Sequence, residues 1–338
     1  MMPRAVSIAF QTDKTPAQYI ALAQLVNRFA FDAISVYCDA PFHPSYGPLL
    51  LMAPHLERAR LGPAAVSPSR IMPVDMAAET ALLAAVAHGG AYLGIARGAW
   101  LAEHGIREIE RPLQAIRECI EIVRYLLSGA TGGYAGEIYQ LADHVRAPYP
   151  LPAKSIPIMI GSWGRKLCAL AGELADEVKV GGSANPDMIP VIQSYIAEGE
   201  RRIGRKPGTV GIVMGAVSVI DDDRTAARQA AKQAVALYLP VVGALDSTVQ
   251  IEPELIERLR VLADRQAYEE AGRLISDGLL DRFAFAGNAA DIIHHAETLF
   301  DAGAQRIEFG TPHGIIPENG ICILGEKVIP ALTRFLSA

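Results

Sequence analysis

Ala91-Tyr-Leu-Gly-Ile-Ala-Arg-Gly98, Ile156-Pro-Ile-Met-Ile-Gly-Ser-Trp-Gly164, Glu177-Val-Lys-Val-Gly-Gly-Ser183 and Arg306-Ile-Glu-Phe-Gly-Thr-Pro-His-Gly314 share one design. In each, an apolar strand runs into a glycine-centred polar cluster and then toward a helix. Strand, loop and helix repeated in one sense make parallel βα units, which close into a barrel or spread as an open sheet. In both architectures the loops after the strands gather at one face, and ligands bind there.

The rest of the chain extends the pattern. Val6 to Phe10 reads as a first strand, then a helix from about Thr15 to Phe29 with Pro16 in its first turn, where proline is tolerated. Ala33 to Tyr37 and Arg60 to Val66 read as strands two and three, and a helix over 74–87 leads into strand four. Leu113, Ile116, Ile120, Val123 and Leu127 recur at helical spacing, which predicts a helix over 111–127. Strands five and six lie near 156 and 177, a helix covers 186–203, and 209–220 is a β-rich strand seven. A helix over 291–302, strand eight at 306–310 and a closing helix over 325–336 complete the alternation. Eight such units favour a closed (β/α)8 (TIM) barrel, with residues 1–338 as one domain.

Two stretches interrupt the rhythm. Residues 222–280 read as almost wholly helical, with a break near Leu239-Pro240, and so form an insertion after strand seven. Residues 128–153 carry Gly132-Gly-Tyr-Ala-Gly136 and the proline-rich Ala147-Pro-Tyr-Pro-Leu-Pro152. Loops that long are usually functional, and this one is expected at the barrel mouth.

Composition narrows the class. The 338 residues are 51% hydrophobic, 7% aromatic and 20% charged, so the core is aliphatic, as buried parallel strands require. A net charge of −6 without a basic cluster argues against nucleic-acid binding. Cys38, Cys119, Cys168 and Cys322 lie too far apart for a metal-ligand spacing and read as reduced thiols. No secretory signal and no apolar run of about 20 residues is visible, so a soluble cytoplasmic protein without a membrane partner is expected.

Taken in order, these segments resemble the bacterial-luciferase-like superfamily, in particular its branch using the deazaflavin coenzyme F420. Leu93 to Leu101 is similar to the segment after strand four in that branch, Ile160 to Lys166 to its phosphate-side loop, and Ala175 to Val178 to the run into strand six. Gly62 to Pro68 resembles the bulged end of strand three, and Glu308 to Gly314 the C-terminal motif of methylenetetrahydromethanopterin reductase and its bacterial relatives. The resemblance implies a barrel with an insertion after strand seven. It also implies a non-proline cis peptide at about Ala65-Val66, whose bulge supports one face of a tricyclic ring. A homodimer through helices near strands two and three is implied as well, and the nearly uncharged Met76 to Val86 suits such burial.

Each candidate residue has a plainer reading beside its functional one. Gly161, Ser162, Trp163 and Gly164 precede a helix beginning near Arg165, where free N–H groups and the positive dipole end suit a cofactor phosphate, with Arg165 and Lys166 nearby. An ordinary βα turn would look the same. Gly181, Gly182 and Ser183 form a second candidate contact, although Ser183 also suits a helix cap. Asp39 ends strand two, where the family places a polar residue on the ring or the substrate; a loop cap is the alternative. Ala65, Val66 and Ser67 form the bulge. Arg97 ends strand four and is expected to meet phosphate or a reduced ring, or else to pair with a rim carboxylate. His43 and His313 are candidate proton donors, and Trp100 is expected to wall the pocket. The methanopterin reductases carry acids near the ends of strands one and four, where this chain has Ala9 and Ala99, which cannot exchange protons.

The expectation is therefore an F420-dependent oxidoreductase with Asp39, His43 and His313 as the chemical residues and no metal. An FMN-dependent monooxygenase of the same superfamily, and a member that has lost its cofactor, are the alternatives.

Overall fold

The computed structural model describes residues 4–333. Eight parallel strands build its centre: β1 (Ala5–Phe10), β2 (Ala33–Val36), β3 (Arg60–Pro63), β4 (Leu93–Ala96), β5 (Ile158–Gly161), β6 (Glu177–Gly181), β7 (Gly211–Ile220) and β8 (Arg306–His313). Each pairs with its neighbour in sequence, and β8 returns to β1 with Ala5 opposite Arg306. The remaining seam, β3 to β4, is held by isolated parallel bridges from Leu61 to Ala91 and from Val66 to Ile95. The fold is thus a nearly closed (β/α)8 barrel.

The helices pack outside because their apolar faces have nowhere else to go. Helix Pro16–Asn27 starts at Thr15, whose side chain accepts from the Gln18 N–H while Gln18 returns a bond to the Thr15 N–H. Asn288 and Asp291 repeat that capping box at helix Ala289–Ala302. In helix Pro112–Leu127 the expected stripe buries Ile116, Ile120 and Val123 against the barrel. Among the described residues no helix is long and apolar enough to cross a membrane.

The insertion after β7 is helical, as expected, with segments Arg224–Ala236, Leu239–Val242, Pro253–Asp264, Tyr268–Arg273 and Asp277–Phe283. It has its own apolar cluster, including Ala231, Val235, Leu259 and Phe283. One strand was not expected from the sequence. Ala284–Gly287, directly after the insertion, is a short extra strand paired in parallel with Val217 to Ile220, the far half of β7.

One expectation needs correction. The non-proline cis peptide is Ala64–Ala65, one residue before the Ala65-Val66 bond expected. The 128–153 excursion leaves the C-terminal end of helix Pro112–Leu127 and folds back along it, Glu137 pairing at 2.6 Å with Arg111 at the helix start. The buried Glu118 of that helix accepts backbone bonds from Glu137, Ile138 and Tyr139 at 2.8, 2.9 and 2.8 Å. The short antiparallel pair Tyr134–Ala135 with Gln140–Leu141 frames that turn.

Candidate active site

Strand periodicity sends alternate side chains into the barrel, and here several are charged. Arg60, Glu177 and Arg306 are the first residues of their strands, and Lys179 and Glu308 stand two residues further along β6 and β8. Arg306 is 1% exposed and reaches Glu177 at 2.5 Å, which also takes a bond from Arg60 at 3.2 Å. Glu308, with no exposed surface, pairs with Lys179 and Ser35 and lies 3.4 Å from both Ser7 and Arg306. Tyr92 closes the group through Ser35 at 2.7 Å. Burial alone would raise the Glu308 pKa, but Lys179 and Arg306 outweigh it and hold the carboxylate below its ordinary range. The barrel centre is therefore a paired electrolyte whose last cation toward the mouth is Lys179.

Above Lys179 lies the mouth. Its ammonium sits 5.1 Å from the centre of the Tyr37 ring. Asp39, half-buried at the end of the same strand segment, accepts from Gln11 Nε2 at 3.4 Å. Burial raises the Asp39 pKa, and the Gln11 bond and the Lys179 charge only partly offset that. From the insertion, Tyr238 comes close enough that the Asp39 charge raises its phenol pKa, after burial as the main cause. Its ring stands 6.3 Å from that of Trp100. Ala65 is half-buried beside the cis bond, and Val66 is buried. Ser67 is buried too, its hydroxyl donating to the Arg97 carbonyl at 2.6 Å.

At the same end, the loops after β5 and β6 are tied together. The Trp163 indole N–H donates to the Gly181 carbonyl at 2.9 Å, and the Ser162 hydroxyl accepts from the Gly164 N–H at 3.0 Å. Helix Arg165–Leu174 begins at Gly164 without a side-chain cap, so its first N–H groups face outward. A methyl added at Gly164 or Gly181 would meet nothing within 4 Å. Arg165 pairs with Glu198, whereas Lys166 is exposed and makes no ion pair among the described residues. Gly182 differs: at φ +83 it holds a left-handed turn, and a methyl there would strike Val242 at 2.8 Å.

The structure redirects four expected residues. His313 is buried, its Nε2 3.0 Å from the Ala9 carbonyl, and burial lowers its pKa to about 4. It ties the end of β8 to β1 as a neutral ring and is no proton donor. His43 is exposed, 3.4 Å from the Tyr19 hydroxyl, outside the Asp39 cluster. Ser183 is buried with its hydroxyl accepting from the Asn185 N–H at 3.2 Å, the cap-like alternative. Arg97 is exposed and forked onto Glu108, the rim carboxylate, with one arm at 2.8 Å. Asp39, the cis bulge and the Gly161–Gly164 and Gly181–Gly182 turns do share one end of the barrel.

Gln11, Tyr37, Lys179 and Tyr238 were missed. For Lys179 a signal existed: Glu177-Val-Lys-Val and Arg306-Ile-Glu-Phe alternate charge with apolar residues, which on strands buried on both sides puts charge inside. Nothing local marked Tyr238, which reaches the mouth from an insertion.

Comparison with known proteins agrees with this geometry. The family profile described as luciferase-like monooxygenase matches residues 2–306. A 5,10-methylenetetrahydromethanopterin reductase of Archaeoglobus fulgidus is 30% identical over 297 residues, 85% of this chain and 87% of that protein. A protein of the same name from Methanopyrus kandleri is 26% identical over 337 residues, 94% and 95% of the two chains. The solved coenzyme F420-dependent tetrahydromethanopterin reductase of M. kandleri superposes with a TM-score of 0.89 at 23% identity, over 98% of this chain and 99% of that one.

Proposed function

The chain belongs to the luciferase-like monooxygenase family, and we propose that within it the protein is a coenzyme F420-dependent oxidoreductase that transfers hydride between the deazaflavin and a small organic substrate. The observation that carries this reading is the cradle at the strand ends. Open space over Gly164 and Gly181, an uncapped helix N-terminus and the unpaired Lys166 together suit a phosphorylated tail. The M. kandleri structure and other relatives that match most of the chain carry F420 in their names, which ranks F420 above FMN.

When bound, the cofactor supplies a two-electron hydride carrier, and the protein contributes binding, orientation and local charge. Gly161, Ser162, Gly164 and Gly181 would hold the phosphate side, with Trp163 fixing both loops. The Ala64–Ala65 bulge, Val66 and Ser67 would back the ring, and Arg97 could meet it from the rim only by leaving Glu108. Trp100 and Tyr238 exclude water from above. Asp39, whose carboxyl burial raises above its ordinary range, is placed to hold or pass a proton beside Gln11. The resemblance implies acids near the ends of β1 and β4, where this chain has Ala9 and Ala99, so the pterin substrate is not carried over.

We also propose a homodimer. Met72, Val74 and Leu82, at or in helix Pro73–Val86, are 51%, 36% and 51% exposed, and Leu51 on the neighbouring helix is 38% exposed, an apolar face suited to a second copy. Four free cysteines suit a reducing cytoplasm. Fluorescence titration with F420 and, separately, FMN tests the main reading. Submicromolar binding of F420 with none for FMN is expected; the reverse preference makes the protein a flavin monooxygenase, and silence with both removes the enzyme reading.

A further inference from the structure

We propose that the Tyr37 hydroxyl is the proton donor at the barrel mouth, and that the substrate is accordingly a carbonyl compound or the matching secondary alcohol. This rests on the F420 reading above and adds the chemical class.

Tyr37 comes directly after β2, its N–H bonded to the Phe10 carbonyl at 2.9 Å, so the backbone is fixed. The side chain reaches across the barrel toward β8, where only a glycine leaves it room: a methyl at Gly310 would sit 2.5 Å from the Tyr37 oxygen. Lys179, locked by Glu308, lies against the ring. Three other tyrosines of this half, Tyr19, Tyr46 and Tyr92, have hydrogen-bonded hydroxyls. The Tyr37 hydroxyl makes no hydrogen bond among the described residues, and the groups that act on it are the Glu308 and Asp39 carboxyls and the Tyr238 and Tyr92 phenols. An unmatched donor in a low-dielectric opening is an arrangement for a ligand.

The sign of the surrounding charge selects the chemistry. Burial and the neighbouring acids keep the phenol protonated, so it offers a proton and cannot offer negative charge. Reduction of a carbonyl develops negative charge on oxygen, which an O–H donor backed by an ammonium stabilises. The cofactor, when bound, would supply the hydride to the carbonyl carbon, whose π pair would move onto oxygen. The Tyr37 O–H bond would break and its proton join that oxygen, and the phenolate left behind would be reprotonated from water at the mouth. Oxidation of the alcohol runs the same transfers backwards. The two histidines do not compete, since His313 is held by Ala9 and His43 lies outside.

The test uses wild type and Tyr37→Phe, which keeps the ring against Lys179 and Gly310. Loading of both with F420 is followed by fluorescence, and turnover with 2-propanol and acetone and with cyclohexanol and cyclohexanone. Wild type is expected to convert at least one pair, and Tyr37→Phe to lose about 100-fold or more in kcat with unchanged F420 affinity and melting temperature. Independently of activity, the phenolate absorbance difference between the two cofactor-free proteins is expected to show one tyrosine that ionises only well above the ordinary range. A variant with near-normal kcat, a Tyr37 already ionised at neutral pH, or a wild type that binds F420 yet converts none of these probes overturns the assignment. Absence of F420 binding in wild type instead overturns the cofactor reading beneath it.

Discussion

Glu308→Gln removes one charge from the centre of the barrel and leaves Lys179 without its carboxylate. Both side chains are buried, at 0% and 8% exposure, and Arg306 loses part of its compensation too. Removing one partner of a buried pair costs about 3–5 kcal/mol, because the remaining charge stays desolvated. With an unfolding entropy of about 2.1 cal/mol/K per residue, that corresponds to a melting temperature lower by about 4–7 °C for a chain of this length. The informative control is the double variant Glu308→Gln/Lys179→Met, which removes both charges and keeps similar volume. Replacing a whole pair with apolar groups is often neutral, so the double variant should regain more than half of the single variant's loss. The pH dependence has a definite sign. Glu308 is held below its ordinary range, so its contribution is complete above the unfolded value of about 4.3 and is lost as pH falls through the lower folded value. Glu308→Gln should flatten that acid limb. Urea unfolding by circular dichroism at several pH values reads all three quantities. A single variant within about 1 kcal/mol of wild type, or a double variant worse than the single, would refute the account of a charge-paired barrel centre.

Three further outcomes rest on particular residues. His313, its folded pKa depressed to about 4, contributes stability that is complete above about 6.5 and is lost as pH falls toward 4; His313→Asn should remove that slope in urea melts taken between those pH values. Gly181→Ala should change stability by less than about 1 kcal/mol yet weaken F420 binding, since it fills the open cradle; Gly182→Ala should lower the melting temperature, being both left-handed and against Val242. Arg97→Ala should change stability by less than about 1 kcal/mol, because its pair with Glu108 is at the surface, and weaken F420 binding about tenfold if the guanidinium meets the cofactor; unchanged affinity in the fluorescence titration removes that role.

The barrel itself was legible in the chain. Four of the strands run into a glycine-centred turn, and helices such as Pro112–Leu127, with its apolar stripe, and Pro16–Asn27, with its capping box, announce themselves within a few residues, all of which are local properties. The phosphate-side turns were legible for the same reason, since Gly161 to Gly164 is one continuous strand-to-helix junction. Ala284–Gly287 was not, because four residues beside an inserted helix carry too little periodicity to stand out.

The chemistry of the mouth was decided by tertiary structure. Asp39 could be placed at the rim from its position after β2, but its pKa is raised by burial and only partly offset by Gln11, just after β1, and by Lys179 of β6. His313 looked like an acid in its Gly-Thr-Pro-His-Gly setting, and the fold turned it toward the Ala9 carbonyl instead. Tyr37 became a candidate only because Gly310, 273 positions away, leaves room for its hydroxyl. A sequence determines which faces of its strands and helices are apolar, since that is set within a few residues. The dielectric, the partner and the freedom of each polar group are set by whatever segment arrives from elsewhere in the chain.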